Sequence, residues 1–404
     1  MTASTLFEVD DVLDAIVKKS IKAVNAEQGS IQLVTDMKDK PLQTLIRQGD
    51  FSGVVKSYRL SLNITGWVLK NEQPLIIDDL ANDERFQATD QETDDVKSAI
   101  CLPIRYKAKI IGLLMILNKK SGETFNAADK KLLSIIAAQS GQLIRHSQLQ
   151  QEAIEKNRLV HELGLARKMQ MSLVPNENPK FDGLDIASYF NPADAVGGDY
   201  FDYFDLGDGK IGIVIADVSG HGPSAALMMT MMKGVFHSTI PNLDSMSDAM
   251  QEINAVLSRT LPQDIFITML FMLFDSKNKV LQFSNAGHNP FVYYKSKDKS
   301  CQLFEFPGFA LNLIPDATYS MQEIKLEADD LFILYTDGVT EAVDNNMKMY
   351  NTDSLMNVTK ENVSGSAIKI VREVKNDLYG FIGNTKQDDD IAFIAIKIRQ
   401  DVTK

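Results

Sequence analysis

The sequence predicts two α+β domains joined by a long helix, the second of them a β-sandwich flanked by helices. Three observations carry this. A chain of 404 residues is too long for one ordinary core. Helical spacing runs without a break from Asn126 to Leu173. Beyond that helix the apolar segments are many and short, with few βαβ repeats, which disfavours a doubly wound parallel sheet.

Residues 1–147 supply the first domain. Val12, Leu13, Ile16, Val17 and Ile21 share one face of a helix over Val9 to Val24, and Ser30 to Val34 alternates as a strand. Pro74 to Asp78 reads as a further strand. Ala81 to Asp95 is a polar loop carrying Asp83, Glu84, Asp90, Glu92, Asp94 and Asp95. Ala99 to Ile104 and Ile110 to Leu117 form a hairpin around Tyr106 to Lys109.

Asn126 then caps a helix, with Asp129 three residues on, and Pro175 stops it. At 1.5 Å per residue it would span about 70 Å. Leu159, Leu163, Ala166, Gln170 and Leu173 carry the alternating spacing of a coiled-coil seam, so residues 148–175 form a helical linker. Gly141 and Gly164 are points where it could bend.

Residues 176–404 form the second domain. Strands are expected at Leu184 to Tyr189, Lys210 to Ala216, Thr268 to Phe274, Val280 to Ser284, Pro290 to Tyr294, Leu331 to Tyr335 and Ile391 to Ile398. Helices are expected at Ser224 to Ser238, Ser245 to Leu261 and Gly365 to Leu378. Four acidic sites stand at strand edges or tight turns. Asp217 ends the run from Ile211 and faces the turn Val218 to Pro223, whose two glycines suit unusual backbone angles. Asp337 and Gly338 follow Phe332 to Tyr335, Asp199 follows Gly197 and Gly198, and Asp388 to Asp390 precede Ile391. One such acid could merely cap its turn, but four exceed what turns require. Hard divalent cations take oxygen ligands, and paired ions can clamp a phosphoryl group, so the constellation suggests metal-assisted phosphate chemistry.

Composition narrows the class. Apolar residues make up 44% and charged residues 24%, as in soluble globular proteins. A formal charge of −12 argues against nucleic-acid binding and anionic membranes. No apolar run approaches a membrane span and no signal peptide is evident, so membrane insertion is not expected. Cys101 and Cys301 read as reduced thiols of a cytoplasmic protein, neither a nucleophile, and the five histidines lack zinc-ligand spacing.

Two resemblances sharpen the reading. Ile64 to Val68, Pro74 to Asp78, Asp83 to Phe86, Leu102 to Ile104 and Ile110 to Leu113, with Phe125 to Asp129 leading into the last helix, resemble a GAF domain. That implies an antiparallel sheet with helices, serving as a sensor of a small-molecule ligand or as a dimerisation element. The second domain resembles the metal-dependent protein phosphatases (PPM family), in their bacterial SpoIIE-like branch. The motifs are Val196 to Asp202, Ala216 to Gly222, Asn285 to Pro290, Tyr335 to Ala342 and Asp389 to Ala392. Ala166 to Pro175 resembles the switch helix that precedes this domain.

The resemblance implies two Mn²⁺ or Mg²⁺ ions. Asp217 would bridge them, the Val218 carbonyl would bind one, Asp199 would serve one directly or through water, and Asp337 and Asp389 would hold the other. A bridging water would attack the phosphorus of phosphoserine or phosphothreonine. Spacing to Ile391 and Ala392 selects Asp389, with one position either way open. Gly198, Gly338, Asp390 and His221 would support the ligands. His221 lies four residues after Asp217 rather than two, so a general-acid role and a turn role both stand, and His288 orders its own turn. Ala392 replaces a common Thr, and Gly308 to Asn312 lacks the usual Pro and second Gly. The phosphate-binding arginine of the eukaryotic branch has no clear counterpart.

The expected function is a GAF-regulated serine/threonine protein phosphatase, a homodimer acting on a phosphorylated regulator such as an anti-sigma-factor antagonist. Its catalytic domain alone is expected to be metal-poor, with the Leu159 to Leu173 helix assembling the site. The alternatives are a catalytically silent module that sequesters a partner and a small-molecule phosphohydrolase using the same metals.

Overall fold

The computed structural model describes residues 9–34, 42–49, 62–86, 96–242 and 245–399. The chain divides into two units, Met1–Leu159 and Val160–Lys404. Asp90, Glu92, Asp94 and Asp95 of the predicted polar loop lie outside the described residues.

In the first unit, helix α1 (Val9–Val24) leads into strands β1 (Ala26–Val34) and β2 (Leu42–Gly49), helix α2 (Leu62–Asn71), and strands β3 (Leu75–Ile77), β4 (Ala99–Tyr106) and β5 (Lys109–Lys119). The sheet has the order β2-β1-β5-β4-β3 and is antiparallel throughout. Successive side chains of a strand point to opposite faces. Leu114 and Ile116 of β5 accordingly join Leu13 and Val17 of α1, whereas Leu113, Met115 and Leu117 join Val68 of α2. Both faces are therefore buried.

Helix α3 (Ala127–Met171) begins with a capping box: Asn126 Oδ1 accepts the Ala128 and Asp129 N–H groups, and Asp129 Oδ2 accepts the Asn126 N–H at 2.9 Å. It runs unbroken for 45 residues. Gly141 is a point of close approach, because a Cβ there would lie 1.8 Å from the Arg105 carbonyl oxygen.

The second unit holds two five-stranded sheets, antiparallel between all paired strands. One has the order β13-β10-β9-β8-β7, from β7 (Tyr200–Gly207), β8 (Lys210–Val218), β9 (Ile267–Asp275), β10 (Val280–Ala286) and β13 (Gln322–Lys325). The other has the order β12-β11-β14-β15-β6, from β6 (Leu184–Asn191), β11 (Phe291–Lys295), β12 (Ser300–Phe304), β14 (Leu331–Tyr335) and β15 (Ile391–Ile398). Helices α4 (Pro223–Thr239) and α5 (Met246–Thr260) join the first sheet in one core that also takes Phe332, Leu334 and Ile394 from the second. After the short helix α6 (Asp337–Thr340), helices α7 (Asn351–Asn362) and α8 (Ala367–Ile382) cover the second sheet's other face, where Ile333, Phe393 and Ala395 meet Leu355 and Ile370. The predicted sandwich with flanking helices is the observed architecture. Strands β7, β12 and β13 and helix α7 join the elements expected from sequence.

The linker seam needs correction. Gln170 is buried and Leu173 packs on the sandwich core, so both face the second unit itself. Val160, Leu165 and Met169, outside the predicted seam, are the exposed apolar residues of this stretch together with Leu159.

Candidate active site

Strand β8 lies between β9 and β7 in its sheet, and Asp217 sits one residue before its end, in register with Thr268 of β9. The chain then turns through Gly220 and Gly222, both at positive φ (94° and 74°), before Pro223 opens α4 in the first turn, where its missing N–H costs nothing. Asp199 immediately precedes β7, the neighbour of β8. Asp337 opens α6. Thr336 is its N-cap but makes no side-chain cap, because its hydroxyl is spent elsewhere. It donates to Asp199 Oδ2 at 2.6 Å and accepts the Ala392 N–H at 3.1 Å.

These acids converge. Asp199 and Asp217 lie close enough for each to shift the other's titration. Burial, then the charges of Asp337, Asp389 and Asp390, raises the Asp217 pKa to about 7. Burial likewise holds the Asp199 carboxyl well above the usual carboxylate range, reinforced by Asp217, Asp390 and Asp337 and opposed by the Thr336 hydroxyl. Burial also raises Asp337, helped by Glu341, and Asp389, helped by Asp337 and Asp390, with His221 close enough to pull Asp389 down. Like charges this close are relieved either by a proton or by a counter-charge.

Glycines shape the floor. A Cβ on Gly198 would stand 2.7 Å from the Val218 carbonyl oxygen and 3.4 Å from Asp217 Oδ1, filling the space beside both. A Cβ on Gly338 would stand 1.9 Å from the Asp390 carbonyl oxygen, so only glycine lets the Asp337 turn lie against the Asp389–Asp390 segment. Asp390 itself is buried and committed to backbone: it accepts the Ala193 N–H at 2.8 Å and the Asp199 N–H at 3.4 Å. Asp389 accepts the neighbouring Asp390 N–H and is open to solvent on one side, its carboxyl only partly desolvated. Asp388 is exposed as well.

Among the described residues no group of three or more His, Cys, Asp or Glu side chains forms a ready-made ion cage. Mg²⁺ keeps several waters and takes one or two carboxylates from the protein. Asp217, Asp199, Asp337 and Asp389 are the carboxylates here that could hold hydrated ions of that kind, together with the Val218 carbonyl, which a Cβ on Gly198 would crowd.

The remaining acids and histidines have structural partners. Asp202, the second acid of the Val196 to Asp202 motif, accepts the Tyr200 hydroxyl, Lys233 Nζ at 2.6 Å and His237 Nε2 at 2.7 Å, tying β7 to α4. His288 does close its turn, its N–H bonding Asn285 Oδ1 at 2.7 Å. Its ring does more, joining Thr268 Oγ1 of β9 (2.8 Å) to the Tyr335 carbonyl at the end of β14 (3.2 Å). Asn312 stands where a second glycine was missing: it adopts φ 66°, which Asn tolerates, and donates Nδ2 to the Pro262 and Ile265 carbonyls. Burial pushes the Cys101 thiol up to about 12 and raises Cys301, so neither is an activated nucleophile. Thr336 and Gln170 lay within the motifs read from sequence, but their pairing with Asp199 and Gly197 left no mark there.

Residues 207–399 match the family described as Stage II sporulation protein E (SpoIIE), and residues 8–145 match the GAF domain. The chain is a GAF domain followed by a SpoIIE-family phosphatase domain. The matched stretch of the SpoIIE domain begins after Asp199, so that residue joins the site on geometry. Over 236 residues the chain is 29% identical to "Phosphoserine phosphatase RsbU" of Bacillus subtilis, covering 58% of this chain and 70% of RsbU. Over 270 residues it is 30% identical to "Protein IcfG" of Synechocystis, covering 59% of this chain and 42% of IcfG. The SiaA-PP2C domain of Pseudomonas aeruginosa shares the fold of the SpoIIE domain, with a TM-score of 0.55, 19% identity, and coverage of 61% of this chain and 99% of that domain. No described helix is long and apolar enough to cross a membrane.

Proposed function

We propose that this chain is a metal-dependent serine/threonine protein phosphatase under the control of its GAF domain. Its substrate is a small phosphorylated regulator of the anti-sigma-factor-antagonist type. The observation that carries the reading is the convergence of Asp199, Asp217, Asp337 and Asp389, with the Asp217 pKa driven up to about 7 by burial and by its neighbours' charge. The activity named for RsbU agrees with it.

In this reading Asp217, Asp199, Asp337, Asp389 and the Val218 carbonyl would hold two Mn²⁺ or Mg²⁺ ions. Bound ions supply an acidified water as nucleophile and offset the phosphate's charge. The chain's own residues prepare that place. Thr336 fixes the Asp199 carboxylate, Asp390 fixes the loop before it, and Gly198 and Gly338 leave room for close approach. No thiol is activated, consistent with direct attack by water.

Control runs through α3, whose exposed Leu149, Ile154 and Leu159 suit pairing with a second copy. The GAF domain contributes to that pairing and answers a small-molecule ligand. Manganese-stimulated hydrolysis of an aryl phosphate, lost in Asp217→Asn and Asp337→Asn, tests the catalytic reading; equal turnover in both variants would refute it. Release of phosphate from a phosphoserine protein then separates a protein phosphatase from a small-molecule hydrolase.

A further inference from the structure

The last turn of α3 reaches into the loop that carries Asp199. Gln170, only 4% exposed, donates Nε2–H to the Gly197 carbonyl at 2.5 Å and accepts the Gly197 N–H on Oε1 at 3.0 Å. One turn earlier, Arg167 Nη1 donates to the Asp194 carbonyl at 2.7 Å. On its other side Gly197 is pressed against Asp390, where a Cβ would fall 1.6 Å from Oδ2. The stretch from Asp194 to Gly197 is thus gripped by the helix and by Asp390, and Asp199 follows two residues later.

A side-chain amide is the group for this task. Both the carbonyl and the N–H of Gly197 are satisfied by one planar unit, which fixes the residue in position and in rotation. Glutamate lacks the donor, lysine lacks the acceptor, and methionine has neither in useful strength. Without Gln170 the two Gly197 groups are left buried and unpaired, a costly state that the loop relieves by moving. Asp390 alone does not hold Gly197, since its oxygens are bonded to Ala193 and Asp199.

We infer that Gln170 is a positioning residue for Asp199, which makes the final turn of the linker helix a structural part of the metal site. This rests on the reading of Asp199 as a metal-binding residue. Gln170 touches neither ion nor substrate and acts through Gly197. Because both bonds depend on the same side chain, a displacement of the helix end breaks them together, and the site loosens in one step.

The test is a titration of the full chain with Mn²⁺ alone, the free ion being followed by electron paramagnetic resonance. Gln170→Met keeps length and volume and removes both bonds. Its Mn²⁺ affinity is expected to fall about 10–100-fold, the usual cost of losing a group that orients a ligand. Gln170→Glu, which keeps the acceptor for the Gly197 N–H, is expected to fall as well and decides the matter if the Met variant does not fold. Wild-type Mn²⁺ affinity in a folded variant, even with a lowered thermal midpoint, would overturn the inference and leave the metal site standing. Failure of the unaltered chain to bind Mn²⁺ would overturn the metal site itself, and the inference with it.

Discussion

Thr336 donates its hydroxyl to the Asp199 carboxylate at 2.6 Å, joining positions 137 residues apart in the chain. The same oxygen accepts the Ala392 N–H, so one side chain ties the loop before β7 to β14 and β15. Thr336→Val keeps the shape and removes both bonds. It is expected to lower metal-stimulated hydrolysis by about 10–100-fold, while Thr336→Ser retains most of it. Steady-state rates across a manganese series check this, and equal rates for the Val variant would show that Asp199 needs no such support.

Clustered carboxylates weaken the ion-free fold. Asp217 is half-buried among Asp199, Asp337, Asp389 and Asp390, and all are acidic. Asp217→Asn should therefore stabilise the protein in chelator, on the order of 1–3 kcal/mol, or roughly 2–4 °C for each kcal/mol, while abolishing hydrolysis. Thermal midpoints in chelator for the two proteins decide it, and a lower midpoint for the variant would mean the acids do not repel one another.

Asp217 and Asp337 were legible because each follows a run rich in β-branched or aromatic residues, with a glycine one to three positions on, a pattern that places a carboxylate at the end of a strand. Asp202 and Asp390 look just as acidic in sequence, yet both are consumed by local hydrogen bonds that only the folded chain reveals. Gln170 sits at a position spaced like a coiled-coil seam, where a polar residue is read as facing a partner helix. Its partner is a peptide group 27 residues on, and backbone partners leave no mark on spacing. Strand β7 was hidden because Tyr200 to Phe204 has apolar and polar residues on no strict alternation.

Asp202 separates structural acids from site acids. Burial alone would raise its pKa, but hydrogen bonds from Lys233, Tyr200 and His237 and from the Tyr203 N–H prevail and lower it. Asp202→Asn weakens the tie between β7 and α4 and is expected to destabilise the fold by about 1–3 kcal/mol, less than the roughly 3–5 kcal/mol of a fully buried pair because Lys233 is partly exposed. Its Mn²⁺ affinity should stay within about twofold, well inside the loss assigned to an orienting group. Denaturant melts and the manganese titration report the two effects separately, and a large loss of Mn²⁺ binding would place Asp202 in the site.

His288 gives the phosphatase domain a pH signature. Burial holds its pKa down to about 4, with the Tyr335 carbonyl pulling upward, so the folded ring stays neutral and bridges Thr268 and Tyr335. In the unfolded chain the ring takes a proton near its ordinary pKa of 6.5. Between those two values the unfolded state binds more protons, and stability rises with pH across that window. The contribution is complete above pH ~6.5 and is lost as pH falls toward ~4. Between pH ~7.5 and ~5 the loss is on the order of 2 kcal/mol. His288→Gln, which keeps a donor and an acceptor but does not titrate, should flatten that part of the profile. Urea melts of both proteins at a series of pH values measure the difference, and parallel profiles would mean that His288 is not buried as a neutral ring.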